Sequence, residues 1–163
     1  MWGIMAEEKA PEQVLGINAQ YIKDLSFENV TPIATIAPSD EQPQIDVQLK
    51  VNVEKSKQEN IYTVGLHTNI QAKIKNGTLF VFELNYVGDF VVAGFPADMM
   101  EPLLYIECPR LLFPFARSII ASTISEGGFP PLYLAPVNFA DLYQQQKQQQ
   151  QQAQKEAKKQ TLQ

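Results

Sequence analysis

Few residues in this chain are of types that carry covalent chemistry, and their spacing argues against it. The one histidine, His67, falls inside an alternating apolar–polar stretch. No serine or cysteine is patterned around it as a nucleophile, so it reads as a structural or exposed strand residue rather than a general base. The one cysteine, Cys108, lies in an apolar, proline-flanked segment. A reactive thiolate needs an electropositive setting, so a buried, inert thiol is expected, and a lone cysteine excludes an internal disulfide. No group of His, Cys and Asp has metal-ligand spacing, and Gly88, Gly94 and Gly127-Gly128 form no phosphate loop. Asp24, Glu28 and Glu83 are the carboxylates that could serve as an acid–base pair, yet all three occupy polar positions of alternating stretches, where a solvated face is the simpler account. The residues point to no enzyme, no cofactor and no metal.

The elements that would position these groups make one domain, because 163 residues suffice for a single sizeable core. A net charge of −5 argues against nucleic acid and against anionic membrane surfaces, both of which select clustered Lys and Arg. No run reaches the ~20 apolar residues of a membrane span, and the first residues lack a basic segment followed by an apolar one. The expectation is a soluble, cytoplasmic protein. Residues 143–163 hold four lysines and one glutamate, leaving −8 on the rest of the chain. The domain is placed at 14–143, between a flexible segment at 1–13 and a Gln/Lys-rich tail at 144–163. That tail has little to bury, and is read as disordered, frayed or a solubilising extension of the last helix.

Ile45, Val47, Leu49, Val51 and Val53 alternate with polar residues, the period-two signature of a half-buried strand. Tyr62, Val64, Leu66, Ile70, Ala72 and Ile74 make a second strand. Asn76-Gly77 signals a hairpin, after which Phe80, Phe82, Leu84 and Tyr86 share one face, with Leu79, Val81, Glu83 and Asn85 on the other. A strict two-residue turn there would set the aromatic face against the polar face of its neighbour; a bulge is favoured, with a longer turn or partial cover of both faces as the alternatives. An earlier strand at 21–28 puts Tyr21, Leu25 and Phe27 on one side and Asp24, Ser26 and Glu28 on the other. Helices follow at 98–108, stopped by Pro109, and from Pro114, with a stripe of Phe115, Ala116, Ile119, Ile120, Thr123 and Ile124 ended by Gly127-Gly128. Asn138 is suited to capping a third helix. Strands followed by helices predict an α+β fold: a four-stranded antiparallel sheet with helices packed on one face.

Apolar surface exceeds what one small sheet covers. A monomer core, a symmetric oligomer and a groove for extended apolar peptides all remain open on the residues alone.

Three segments narrow this: 21–28; Cys108-Pro109-Arg110-Leu111-Leu112-Phe113-Pro114-Phe115-Ala116-Arg117; and 129–139, from Phe129-Pro130-Pro131 to Asn138-Phe139. In order and spacing they resemble the SecB family of protein-export chaperones, and the likeness runs from about Val14 to Leu142. It implies the sheet just described, a homotetramer built as a dimer of dimers, and an ATP-independent cytosolic chaperone without cofactor. Such a chaperone holds unfolded precursor proteins export-competent and delivers them to the SecA translocation ATPase. By the same resemblance SecA docks at Asp24, Glu28, Val81 and Glu83. Clients would line a groove with Ile45, Val47, Leu49, Leu111, Phe113, Phe115 and Leu134, any of which can equally be core or oligomer interface. The tail departs from the acidic tails common in the family, and 37–43 lacks an aromatic found in some members, which bears on the groove rim. The alternative is a SecB-like chaperone dedicated to a single partner, such as a toxin–antitoxin system.

Overall fold

The computed structural model describes residues 11–36 and 41–162. Four strands, β1 (Val14–Asn29), β2 (Gln44–Lys55), β3 (Ile61–Ile74) and β4 (Gly77–Ala93), form one antiparallel sheet in the order β1-β4-β3-β2. Three helices follow: α1 (Ala97–Pro102), α2 (Cys108–Glu126) and α3 (Phe139–Thr161), the first two joined by a five-residue π turn, Leu103–Glu107. The helices lie on one face of the sheet, as the strands-then-helices order predicts.

Alternation builds the covered face. Val64, Leu66, Ile70 and Ala72 of β3 pair directly with Val53, Val51, Val47 and Ile45 of β2, and Phe82, Leu84 and Phe90 of β4 share that side and are fully buried. From above, α2 presents Leu112, Ala116, Ile120 and Ile124, four residues apart and therefore on one stripe. Burying each large side chain contributes about 1.5–3 kcal/mol. The expected stripe is rotated in one respect: Phe115 lies at its exposed rim, 46% accessible, and Leu112 takes the buried place.

The hairpin contains the expected bulge. Ile74 pairs with Gly77, so Lys75 and Asn76 form the turn; the register then shifts, and Ala72 faces Phe80 rather than Leu79. The extra residue turns the aromatic run of β4 onto the covered side. β1 is longer than its alternation suggested, because register shifts at Ile17/Ala19 and Ile22/Asp24 interrupt the period. One consequence is a correction. Tyr21 pairs with Val87 and stands on the open face with Asp24, whereas Leu25 and Phe27 face the helices.

A second correction concerns 109–113, expected as a break between a helix stopped by Pro109 and one starting at Pro114, and in fact part of the first turns of α2. The π turn widens the backbone just before Pro109, which sits in the first turn of α2, where a missing N–H is tolerated. Pro114 stays inside the helix. Gly128, at φ +89°, turns the chain out after α2. The Asn138 side chain accepts from the Asp141 N–H at 3.2 Å, the expected cap of α3. α3 runs on to Thr161 through Gln, Lys, Glu and Ala, all good helix formers that need no burial to stay helical.

Candidate functional site: an open sheet face and an apolar rim

The face of the sheet away from the helices is polar and uncovered. Register places its residues: Asp24 of β1 opposes Asn85 of β4, Ser26 opposes Glu83, and Glu28 opposes Val81. Asp24, Glu28, Val81 and Glu83 therefore stand together on neighbouring strands about 5 Å apart. Asp24 and Glu28 are exposed and engage no hydrogen bond or ion pair among the described residues. Glu83 is held. His67, on β3, donates from Nε2 to its Oε1 at 2.7 Å, since a carboxylate can only accept. Elsewhere on this face Lys73 pairs with Asp46 at 3.2 Å, and Asp89 accepts from the Thr63 hydroxyl at 2.7 Å.

A shallow hollow of about 300 Å³ opens beside these groups, lined by residues including Lys23, Lys50, Glu54, Gly65 and Asn85. Gly65 keeps it open: a Cβ there would lie 3.1 Å from Asn85 Oδ1. That side-chain oxygen is buried and has no hydrogen-bond partner among the described residues.

The apolar residues expected to receive clients fall in separate places. Ile45, Val47 and Leu49 lie on the edge strand β2. Val47 and Leu49, with Leu142 of α3, line a groove of about 690 Å³ whose remaining wall includes Gln145, Gln146, Gln149 and Gln150. Gln146 reaches the strand itself, accepting from the Val51 N–H at 3.0 Å and donating to the Val51 carbonyl at 3.2 Å. Leu111 and Phe115 are exposed on α2, Phe115 stacking on Tyr86 at 6.3 Å. Phe113 packs edge-on against Phe139 at 5.8 Å. Leu134 belongs to the core, its carbonyl accepting from Arg117 Nε at 2.9 Å while the Arg117 guanidinium lies over Tyr133. Residues 37–40, part of the expected groove rim, lie outside the described residues, as do residues 1–10 of the segment read as flexible.

Cys108 is fully buried, and burial, with Glu107 beside it, pushes its thiol up to about 12. No group of three or more His, Cys, Asp or Glu among the described residues could hold a metal ion. No described helix is long and apolar enough to cross a membrane.

Two features escaped the sequence reading. The His67–Glu83 contact is diagonal between strands, so it depends on a register that alternation does not supply. Gln146 belongs to a run of glutamines with nothing to distinguish it; its one signal is that it lies a helical turn beyond Leu142 and Tyr143.

An antiparallel sheet with helices on one face is a fold shared with a SecB-like chaperone. The chain belongs to the SecB family: residues 7–150 match the family of preprotein translocase subunit SecB. It is 49% identical over 138 residues to the protein-export protein SecB of Rhodopseudomonas palustris strain BisA53, covering 85% of each chain. With that of strain TIE-1 it shares 51% identity over 138 residues, 85% of this chain and 87% of the relative. With that of Bartonella quintana strain Toulouse it shares 44% over 135 residues, 83% and 85%. Among solved structures it is similar to a Mycobacterium tuberculosis SecB-like chaperone in complex with a ChAD peptide from an antitoxin. There the TM-score is 0.62 at 10% identity, over 76% of this chain and 90% of that one, a likeness of fold. The function is that of a protein-export chaperone, in a family that is generally non-enzymatic.

Proposed function

We propose that this protein is a cytoplasmic, ATP-independent holding chaperone that is not an enzyme and uses no cofactor. It keeps unfolded precursor proteins competent for export and delivers them to SecA, working as a homotetramer, a dimer of dimers. The observation that carries this reading is the division of the sheet. One face is sealed by helices, and the other carries Asp24, Glu28 and Glu83 in register and uncovered. Uncovered carboxylates in a fixed array suit a basic partner, steering its approach and setting its orientation. SecA is assigned to this face, with Val81 as the apolar contact among the three acids.

Clients are assigned to the apolar residues that stay accessible, Ile45 and Val47 on β2 and Leu111 and Phe115 on α2, together with the half-buried Leu49 and Phe113 and the core residue Leu134. Affinity from apolar burial, about 25 cal/mol per Å² less the ordering cost of the client, gives broad selection and release once the client folds. Exposed Val14, Ile17, Ile22 and Leu25 along β1 supply apolar surface for assembly.

The test combines native mass with refolding of several unrelated precursors. A tetramer that arrests all of them supports the reading. Arrest of one partner alone favours a chaperone dedicated to a single partner. A monomer without effect overturns both. Charge reversal at Asp24, Glu28 and Glu83 should weaken SecA binding and spare clients; equal loss of both sinks the docking assignment.

A further inference from the structure

Of the three docking carboxylates, Glu83 is the one already engaged by a side chain of its own protein. His67 Nε2 lies 2.7 Å from its Oε1, and both side chains remain partly open, at 32% and 41%. As a neutral ring, His67 donates one hydrogen bond. That fixes the direction of the carboxylate, leaves its full negative charge, and leaves Oε2 without a partner among the described residues. As a protonated ring, it sets a cation against the same carboxylate and competes with any cation a partner brings. One proton thus reverses the effect of His67 on Glu83.

We infer that His67 is a positioning residue of the docking face. Neutral, it holds Glu83 ready for a basic segment of SecA; protonated, it cancels Glu83 and loosens docking. The inference rests on the docking reading above. Histidine is the side-chain type whose charge ordinarily changes between about pH 5 and 8. The charged groups around the ring come from each neighbouring strand. Lys50 of β2 opposes it directly, and Glu83 of β4 accepts from it. Across β4, Asn85 stands between His67 and Asp24 of β1. Lys23, Glu54 and Tyr105, with Gln146 and Gln150 of α3, line the adjoining hollow, and no described helix lies across this face of the sheet. Because the pair is part-exposed, the effect on binding is modest, about threefold.

The test is the affinity for purified SecA of Rhodopseudomonas palustris, by calorimetry at constant ionic strength, at about pH 8 and about pH 5.8. Wild type, His67→Gln, His67→Ala, Glu83→Gln and the double variant His67→Gln with Glu83→Gln are compared, each first shown to unfold with a native-like transition. The pH dependence left in the double variant, which has neither group to ionise, is the background. Above it, wild type should weaken about threefold on acidification. His67→Gln, which keeps a donor but cannot ionise, should match wild type at the higher pH and lose the extra dependence. His67→Ala should be about threefold weaker at the higher pH, the position being lost. If His67→Gln keeps the wild-type pH slope, or His67→Ala binds like wild type at the higher pH, the role of His67 is overturned while docking stands. If wild type fails to bind, or Glu83→Gln binds as tightly as wild type at both pH values, the docking reading falls, and this inference with it.

Discussion

The two faces of this sheet are made from alternate residues of the same strands, and they spend their side chains differently. On the covered face Leu66, Ile70, Phe82 and Leu84 are fully buried and lock β3 and β4 to α2. On the open face His67, Asn69, Glu83 and Asn85, one residue away, are half-buried and meet no helix. Stability should therefore reside on one side and partner recognition on the other, with little trade between them.

The largest break in that contrast comes from the covered side. Phe82→Ala should cost about 3–5 kcal/mol, the penalty of a cavity in a close-packed core, seen as a lower midpoint in urea unfolding. A cost under about 1 kcal/mol would mean that this face is not the stabilising one.

Next is Cys108, whose buried thiol is raised from an ordinary 9.0 to about 12. The unfolded chain loses this proton first, so stability is complete below about pH 9 and is lost as pH rises toward about 12. Cys108→Ala should remove that alkaline component, measured as the pH dependence of the unfolding midpoint. In the native wild type the thiol should resist alkylation at neutral pH.

Asn138→Ala removes the cap of α3 and should cost about 1 kcal/mol, with a small loss of helical circular dichroism. The smallest effect on folding is expected on the open face. Asp24→Asn with Glu28→Gln should move stability by no more than about 0.5 kcal/mol, while SecA affinity falls about tenfold or more. A double variant that unfolds easily would erase the distinction between the faces.

Much of this division is legible in the sequence, because alternation over Ile45–Val53 and Phe80–Tyr86 is itself the statement that one side is dry. Asn138 announces its cap equally openly. What alternation cannot carry is the phase between strands. Tyr21 is assigned to the wrong side because a register shift at Ile22/Asp24 resets the count, and that shift exists only in the pairing with β4. Likewise 109–113 reads as a break between two helices because Pro109 and Pro114 bound it, and the π turn that accommodates Pro109 leaves no compositional mark. The proposed docking acids are legible as exposed strand carboxylates; the hold of His67 on one of them is not. Of the proposed client residues, the position of Leu134 in the core could be settled only by seeing which loop α2 folds over.

The clip between Gln146 and Val51 bears on how far this sheet can be extended. A sheet has two rims, and here they are unlike. On β2 an amide from α3 answers both backbone groups of Val51, as a neighbouring strand would. Among the described residues the β1 rim has no neighbouring strand, and it shows Val14, Ile17, Ile22 and Leu25 to solvent. Joined at their bare rims, two copies would present a clipped strand at either end of the enlarged sheet. Growth would stop at a pair instead of running on into a fibre.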